Sequence, residues 1–169
     1  MQPVKCVEKI LTLDAVLRWR RRIRDERKRL VVTNGCFDLL HAGHVTYLEE
    51  ARKHGDVLLV GVNSDAAVKE LKGPTRPMNS EADRALVIAA LQSVDAVSIF
   101  SERDAVNFLR QVQPDVYVKG GDYTLDTINQ DERRLVESMG GKIVLLPHVA
   151  GKSTTAILEK MLNTENSRC

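Results

Sequence analysis

Two imidazoles three positions apart, His41 and His44, stand where an apolar run gives way to a helical pattern. The run Leu30-Val31-Val32 before them reads as a buried strand, and residues 45–53 after them read as a helix. Such a junction turns backbone N–H groups and the positive end of a helix dipole toward whatever lies above it. Histidines at i and i+3 of a helix start face the same side. Both can donate hydrogen bonds to anionic oxygens, and Gly43 between them lets backbone and ligand approach closely. The combination suits the phosphates of a nucleoside triphosphate. A buried structural pair and a metal pair are the alternatives, but no third ligand stands at a recognisable metal spacing. Cys36 in the same segment reads either as a nucleophile or, preferably, as a small residue whose backbone lies near a phosphate.

The elements that must position these groups follow from the alternation of patterns. Apolar runs at 30–33, 56–62, 96–100, 116–119 and 143–146 are rich in Val, Ile and Leu with little alternation, as strands covered on both faces should be. Helical patterns lie at 14–27, 44–53, 64–71, 81–91, 104–112, 131–139 and 154–162. Ser80 with Asp83 predicts a capping box, and Gly140-Gly141 ends the preceding helix. The result is an open parallel sheet with right-handed crossovers. In such sheets ligands bind beyond the carboxyl ends of the strands, where the strand order reverses. Three polar or glycine-rich segments fall at those ends: 34–44, Lys119-Gly120-Gly121-Asp122, and 148–155. With the order 3-2-1-4-5 the first two face one another and the third lies beside them.

Composition narrows the class. A chain of 169 residues fits one globular domain, here 1–169, with 1–29 as an N-terminal helical extension and 163–169 as a flexible tail. Hydrophobic content of 43% and charged content of 28% argue against disorder, and no apolar stretch could span a bilayer. The start lacks the apolar core of a secretory signal and the three cysteines form no CxxC pair, so a reducing, cytoplasmic location is expected. The net charge of +2 implies no nucleic-acid partner. The basic run 18–24 reads as a surface helix with a solvated basic face and Trp19 packed inward, rather than as an RNA- or anion-binding patch.

Residues 35–44, Gly-Cys-Phe-Asp-Leu-Leu-His-Ala-Gly-His, resemble the GxFDxxHxGH signature of the cytidylyltransferase-like nucleotidylyltransferases, which are relatives of the catalytic domain of class I aminoacyl-tRNA synthetases. Gly151-Lys152-Ser153-Thr154-Thr155 resembles their second signature, a Ser/Thr-rich turn opening the last helix. Residues 60–65, 72–77, 93–95 and 118–123 together resemble one branch, the D-glycero-β-D-manno-heptose 1-phosphate adenylyltransferases, in their stand-alone form without a kinase half. Glycerol-3-phosphate and choline-phosphate cytidylyltransferases differ, carrying Arg-Tyr-Val-Asp where this chain has Gln92-Ser93-Val94-Asp95 and an arginine shortly before the Ser/Thr turn.

The resemblance implies a Rossmann-like three-layer α/β/α fold and transfer of AMP from ATP to heptose 1-phosphate, giving ADP-heptose and pyrophosphate for the lipopolysaccharide core. Glycerol-3-phosphate cytidylyltransferase and FAD synthetase are the alternatives within the superfamily, and a non-catalytic nucleotide sensor is the alternative outside enzymes. It also implies Mg2+ carried on the phosphates rather than in a protein cage, and a homo-oligomer, for which the apolar positions of the first helix are available. His41 and His44 would donate to phosphate oxygens as charge moves to the leaving group, with Lys72 as a further catalytic group. Asn34, Gly35, Cys36, Phe37, Gly43, Lys119, Gly120, Asp122, Val149, Ser153, Thr154 and Thr155 would hold the nucleotide. Asp38, Asp65, Lys72, Arg76 and Arg84 would face the sugar phosphate. Loop turning by Asp38, helix starting by Asp65 and surface positions for the two arginines are the plainer readings.

Overall fold

The computed structural model describes residues 5–121 and 123–147, together with Thr154, Ile157 and Lys160. Five parallel strands form one sheet in the order β3-β2-β1-β4-β5: β1 Leu30–Gly35, β2 Val57–Asn63, β3 Ala96–Phe100, β4 Val116–Gly120 and β5 Lys142–Leu146. The order is the expected 3-2-1-4-5, so β1 and β4 flank the point where the chain reverses its direction of winding.

Helices cover both faces, which is why the strands carry apolar residues on both sides. On one face α1 (Leu13–Asp25), α5 (Val106–Val112) and α6 (Gln130–Ser138) bury Val16, Ile23, Phe108, Leu109 and Val136 against Leu30, Val32, Leu59 and Tyr117. On the other, α2 (Ala42–Arg52) and α4 (Glu81–Ala89) bury Leu48, Ala51, Ala85 and Ile88 against Val31, Leu58, Val60 and Val118. The short α3 (Asp65–Lys72) follows β2 and packs on it. Local chemistry sets the helix starts: Ser64 caps α3 through Ala67 N–H, Ser80 caps α4 through Asp83 N–H, and Asn129 caps α6 through Asp131 and Glu132 N–H. The Ser80 hydroxyl also donates to the Asp83 carboxylate, so the predicted capping pair forms.

Several boundaries differ from the sequence expectation. Strand β1 runs on to Gly35, because Asn34 and Gly35 pair with Gly61 and Val62 of β2. Helix α2 begins at Ala42 rather than at His44, with His41 as the N-cap. The basic run on α1 is not wholly solvated. Arg20 is buried, and its guanidinium donates to the carbonyls of Val112 and Gln113 and pairs with Asp115 at 3.1 Å. Asp115 in turn accepts from Leu30 N–H, so this arginine locks the entry of β1 beside β4. The apolar residues Val16 and Ile23 are buried in the chain's own core, and the partly buried Trp19 packs against it. Upstream of α1, Lys9 donates to the carbonyls of Leu91 and Val94, and Ile10 bridges to Val97 of β3.

Candidate active site

The segment between β1 and α2 carries the imidazoles. His41 is the extended N-cap of α2 and His44 lies in its first turn, so the i, i+3 spacing brings their rings into a stack with centroids 3.9 Å apart. Phe37 supports the pair edge-on, its ring centroid 5.4 Å from that of His44. Reaching that position folds Phe37 back over Gly35: a Cβ at Gly35 would lie 3.1 Å from the Phe37 ring, and Phe37 itself holds a left-handed φ of 47°. A side chain at this position would crowd the Phe37 ring, so packing within the segment favours glycine. Burial pushes the Cys36 thiol above its ordinary range, partly offset by Lys72 and Arg84, so it is not a ready thiolate. What Cys36 contributes to the fold is its carbonyl, which accepts from Arg84 at 2.6 Å.

Arg84 lies behind the site rather than in it. Its side chain is 1% exposed, and its three nitrogens donate to the carbonyls of Cys36 and Asn79 and to the Asp65 carboxylate at 2.7 Å. Neither Arg84 nor Asp65 reaches the cavity wall. Asp38 is buried too. It accepts from the Arg76 guanidinium and from the N–H groups of Met78 and Asn79, and its own carbonyl accepts from the Asn79 side chain. Burial by itself would raise Asp38, but the Arg76 guanidinium and the two N–H groups outweigh it and hold the carboxyl below its usual range. Asp38 thus pins the 73–80 loop against the imidazole segment, its plainer role, with the carboxylate already saturated.

Across the switch point stands a second polar group. The Lys119 ammonium donates to Asn34 Oδ1 at 3.2 Å and lies 3.5 Å from the Glu132 carboxylate and 5.4 Å above the Tyr117 ring. The Tyr117 hydroxyl donates to Glu132 at 2.8 Å and lies 2.5 Å from the same Asn34 oxygen. Burial, with the Glu132 charge adding to it, pushes the Tyr117 phenol far above its ordinary range, so it stays protonated and can donate. On the other sheet face, Tyr47 of α2 donates to the Val118 carbonyl and lies 2.6 Å from the Thr33 hydroxyl. Its ring occupies the space beside Gly120, where a Cβ would come within 2.5 Å of it. Gly120 is needed for the approach of Tyr47, a reason independent of ligand.

These groups surround one cavity of about 850 Å3 at the carboxyl end of the sheet. Of the sequence-predicted site residues, Asn34, Gly35, Cys36, Phe37, Asp38, His41, Gly43, His44, Lys72, Arg76, Lys119, Gly120 and Thr154 line it. Thr154, from the Ser/Thr-rich turn, donates to the Leu39 carbonyl at 3.4 Å, so the last signature meets the first. Asp122, Val149, Ser153 and Thr155 lie outside the described residues. The wall also includes Tyr47, Asn63, Arg103, Tyr123 and Glu132, which the sequence reading did not single out. Tyr47, Arg103 and Glu132 lie inside or next to ordinary helical patterns, and only their place at the ends of elements flanking the switch point could have marked them, whereas Asn63 and Tyr123 fall in the segments 60–65 and 118–123 that carry the resemblance. Among the described residues no group of three His, Cys, Asp or Glu side chains could hold a metal ion, and no helix is long and apolar enough to cross a membrane. The donor set of imidazoles, lysines and an arginine fits a polyanion.

Comparison with known proteins agrees with this geometry. Residues 32–165 match the model of the cytidylyltransferase-like family. The chain is 52% identical over 153 residues to the bifunctional protein HldE of Geotalea uraniireducens (strain Rf4), covering 90% of this chain and 31% of that protein. It is 48% identical over 160 residues to the protein of the same name from Syntrophotalea carbinolica, covering 90% and 32%. The chain therefore spans about a third of the length of these relatives. Among solved structures, a lipopolysaccharide core biosynthesis protein from Thermoplasma volcanium GSS1 superposes with a TM-score of 0.59 at 28% identity, over 72% of this chain and 97% of that one. The pantoate-beta-alanine ligase of Francisella tularensis, at 15% identity and a TM-score of 0.58 over 82% of this chain and 66% of that one, shares the fold. With its signature imidazoles, switch-point cavity and a family model spanning both signatures, the chain is a nucleotidyltransferase and belongs to the cytidylyltransferase-like family.

Proposed function

We propose that this domain transfers AMP from ATP to D-glycero-β-D-manno-heptose 1-phosphate, releasing pyrophosphate and forming ADP-heptose. The observation that carries the reading is the stacked pair His41–His44 at the start of α2, facing one cavity with Lys72, Arg76, Lys119 and Thr154. Similarity to the HldE proteins and to a lipopolysaccharide core biosynthesis protein supports the sugar phosphate as acceptor.

The chemistry asks little of a base. The acceptor phosphate is already ionised near neutral pH, and its oxygen attacks the α-phosphorus of ATP in line with departing pyrophosphate. The protein must bring two anions together and stabilise charge moving to the leaving group. His44 and His41 donate to phosphate oxygens at the bond that breaks, helped by the N–H groups at the start of α2. Lys119 and the hydroxyls of the Ser/Thr turn hold the outer phosphates. Lys72, at the end of α3 where Gly73 takes a φ of 98°, and Arg76, fixed by Asp38, serve the acceptor phosphate. Asp65 and Arg84 act by holding the segment that carries Cys36. Mg2+ bound to the phosphates would offset part of their charge, leaving the rest to Lys72, Arg76 and Lys119. A homo-oligomer is proposed as well, checked by light scattering.

The test is pyrophosphate release with ATP or CTP and a panel of acceptors: heptose 1-phosphate, glycerol 3-phosphate, FMN and phosphopantetheine. ATP with heptose 1-phosphate should be the productive pair. Turnover of glycerol 3-phosphate with CTP, and none with heptose phosphate, would overturn the assignment, and nucleotide binding without any pyrophosphate would mark a sensor.

A further inference from the structure

Glu132 is a puzzle at a site for a polyanion. It is 4% exposed, in the first turn of α6, and its side chain belongs to the cavity wall. An ionised carboxylate there is costly to desolvate and would repel an incoming phosphate unless its charge is directed at a cation. Its oxygens are accounted for: Oε1 accepts from Ala105 N–H at 2.9 Å, and Oε2 accepts from the Tyr117 hydroxyl at 2.8 Å and lies 3.5 Å from Lys119 Nζ. Lys119 also donates to Asn34, whose oxygen lies beside the Tyr117 hydroxyl. Side chains from β1, β4 and α6 therefore converge on one ammonium at the switch point.

A lysine stem free in solution loses rotamer entropy when it is fixed. Restraining it before the ligand arrives removes that cost from binding. We infer that Glu132 is a positioning residue for nucleotidyl transfer: with Tyr117 and Asn34 it holds the Lys119 ammonium at the cavity wall, aimed at the phosphates of the nucleotide. This rests on the reading of the cavity as a nucleotide site. Glu132 also keeps the lysine's charge balanced until phosphate replaces part of that pairing.

The experiment is a double-mutant cycle on the full chain with Glu132→Gln and Lys119→Met. It is read both as ATP affinity by calorimetry and as kcat/KM for pyrophosphate release. The glutamine keeps the volume and can still accept from Ala105 or Tyr117. With Lys119 present, E132Q should weaken both readouts on the order of 10-fold, and in the K119M background it should change them less than about twofold. Equal losses in both backgrounds would mean that Glu132 serves only the fold and would overturn the inference, as would E132Q with unchanged affinity and turnover. If E132Q does not fold, Tyr117→Phe replaces it in the same cycle with the same expected non-additivity. Calorimetry needs no acceptor. A non-additive binding cycle without turnover of heptose phosphate would sink the acceptor assignment and leave this inference standing. A wild-type chain that binds neither ATP nor CTP would sink both.

Discussion

The rings of His41 and His44 stack at 3.9 Å with an angle of 26° between their planes, one from the N-cap of α2 and the other from its first turn. Stacking at that distance makes the two imidazoles one rigid unit, buttressed by Phe37. Preorganised donors of this kind matter most when charge develops in the transition state, because no reorganisation remains to be done. His44→Ala should lower kcat about 100-fold or more while ATP affinity falls less. Steady-state pyrophosphate release set beside calorimetric binding checks this, and near-normal turnover would remove His44 from the mechanism.

The buried Asp38 carboxylate ties the 73–80 loop to the imidazole segment and is held below its usual range. A group with a depressed folded pKa contributes stability above its unfolded value, about 3.9 for Asp. That contribution disappears as pH falls through the lower folded value. Asp38→Asn should cost about 1–3 kcal/mol at neutral pH, since charge-assisted hydrogen bonds are lost. It should also flatten the fall in stability below about pH 4. Denaturant titrations of both proteins across acid pH decide it: parallel curves would show that Asp38 carries no such linkage.

Arg84 donates to two carbonyls and a carboxylate from a side chain that is 1% exposed. Asp65, its charged partner, is partly solvated, so most of the loss on removal comes from the orphaned carbonyls of Cys36 and Asn79. Arg84→Met should destabilise the domain by about 3 kcal/mol and lower activity through the loosened Cys36 segment. Arg84→Lys should rescue little, because a point charge cannot serve three directions. Equilibrium unfolding tests both variants, and full rescue by lysine would contradict this account.

Gly120 faces the Tyr47 ring with no room for a Cβ. Gly120→Ala should cost about 1–3 kcal/mol by overpacking and disturb the end of β4 next to Lys119. Adding Tyr47→Leu should recover part of the loss in Tm, since it removes the clashing ring. If the double variant is no more stable than G120A, the clash is not the cause.

The α/β class and the segments that line the cavity were legible in the residues, while the strand order 3-2-1-4-5 was an assumption that the structure bears out. Apolar runs covered on both faces, capping serines at 64 and 80, and glycines at turns are local properties, and local properties persist in the chain before any contact forms. The motif 35–44 likewise carries part of its own geometry, because an i, i+3 spacing at a helix start puts both imidazoles on the same side. Which charges serve the ligand and which serve the protein emerged only on folding. In sequence Asp38 and Arg84 read as groups facing the sugar phosphate or, more plainly, as a loop turn and a surface position, and Glu132 as part of a helical pattern, yet each is buried and held by partners 5 to 48 positions away. Arg20, read as part of a solvated basic face, is buried against Asp115 by the same kind of long-range pairing. A charge can be buried only where a partner arrives from another element, and that depends on which strand ends the winding of the sheet brings together.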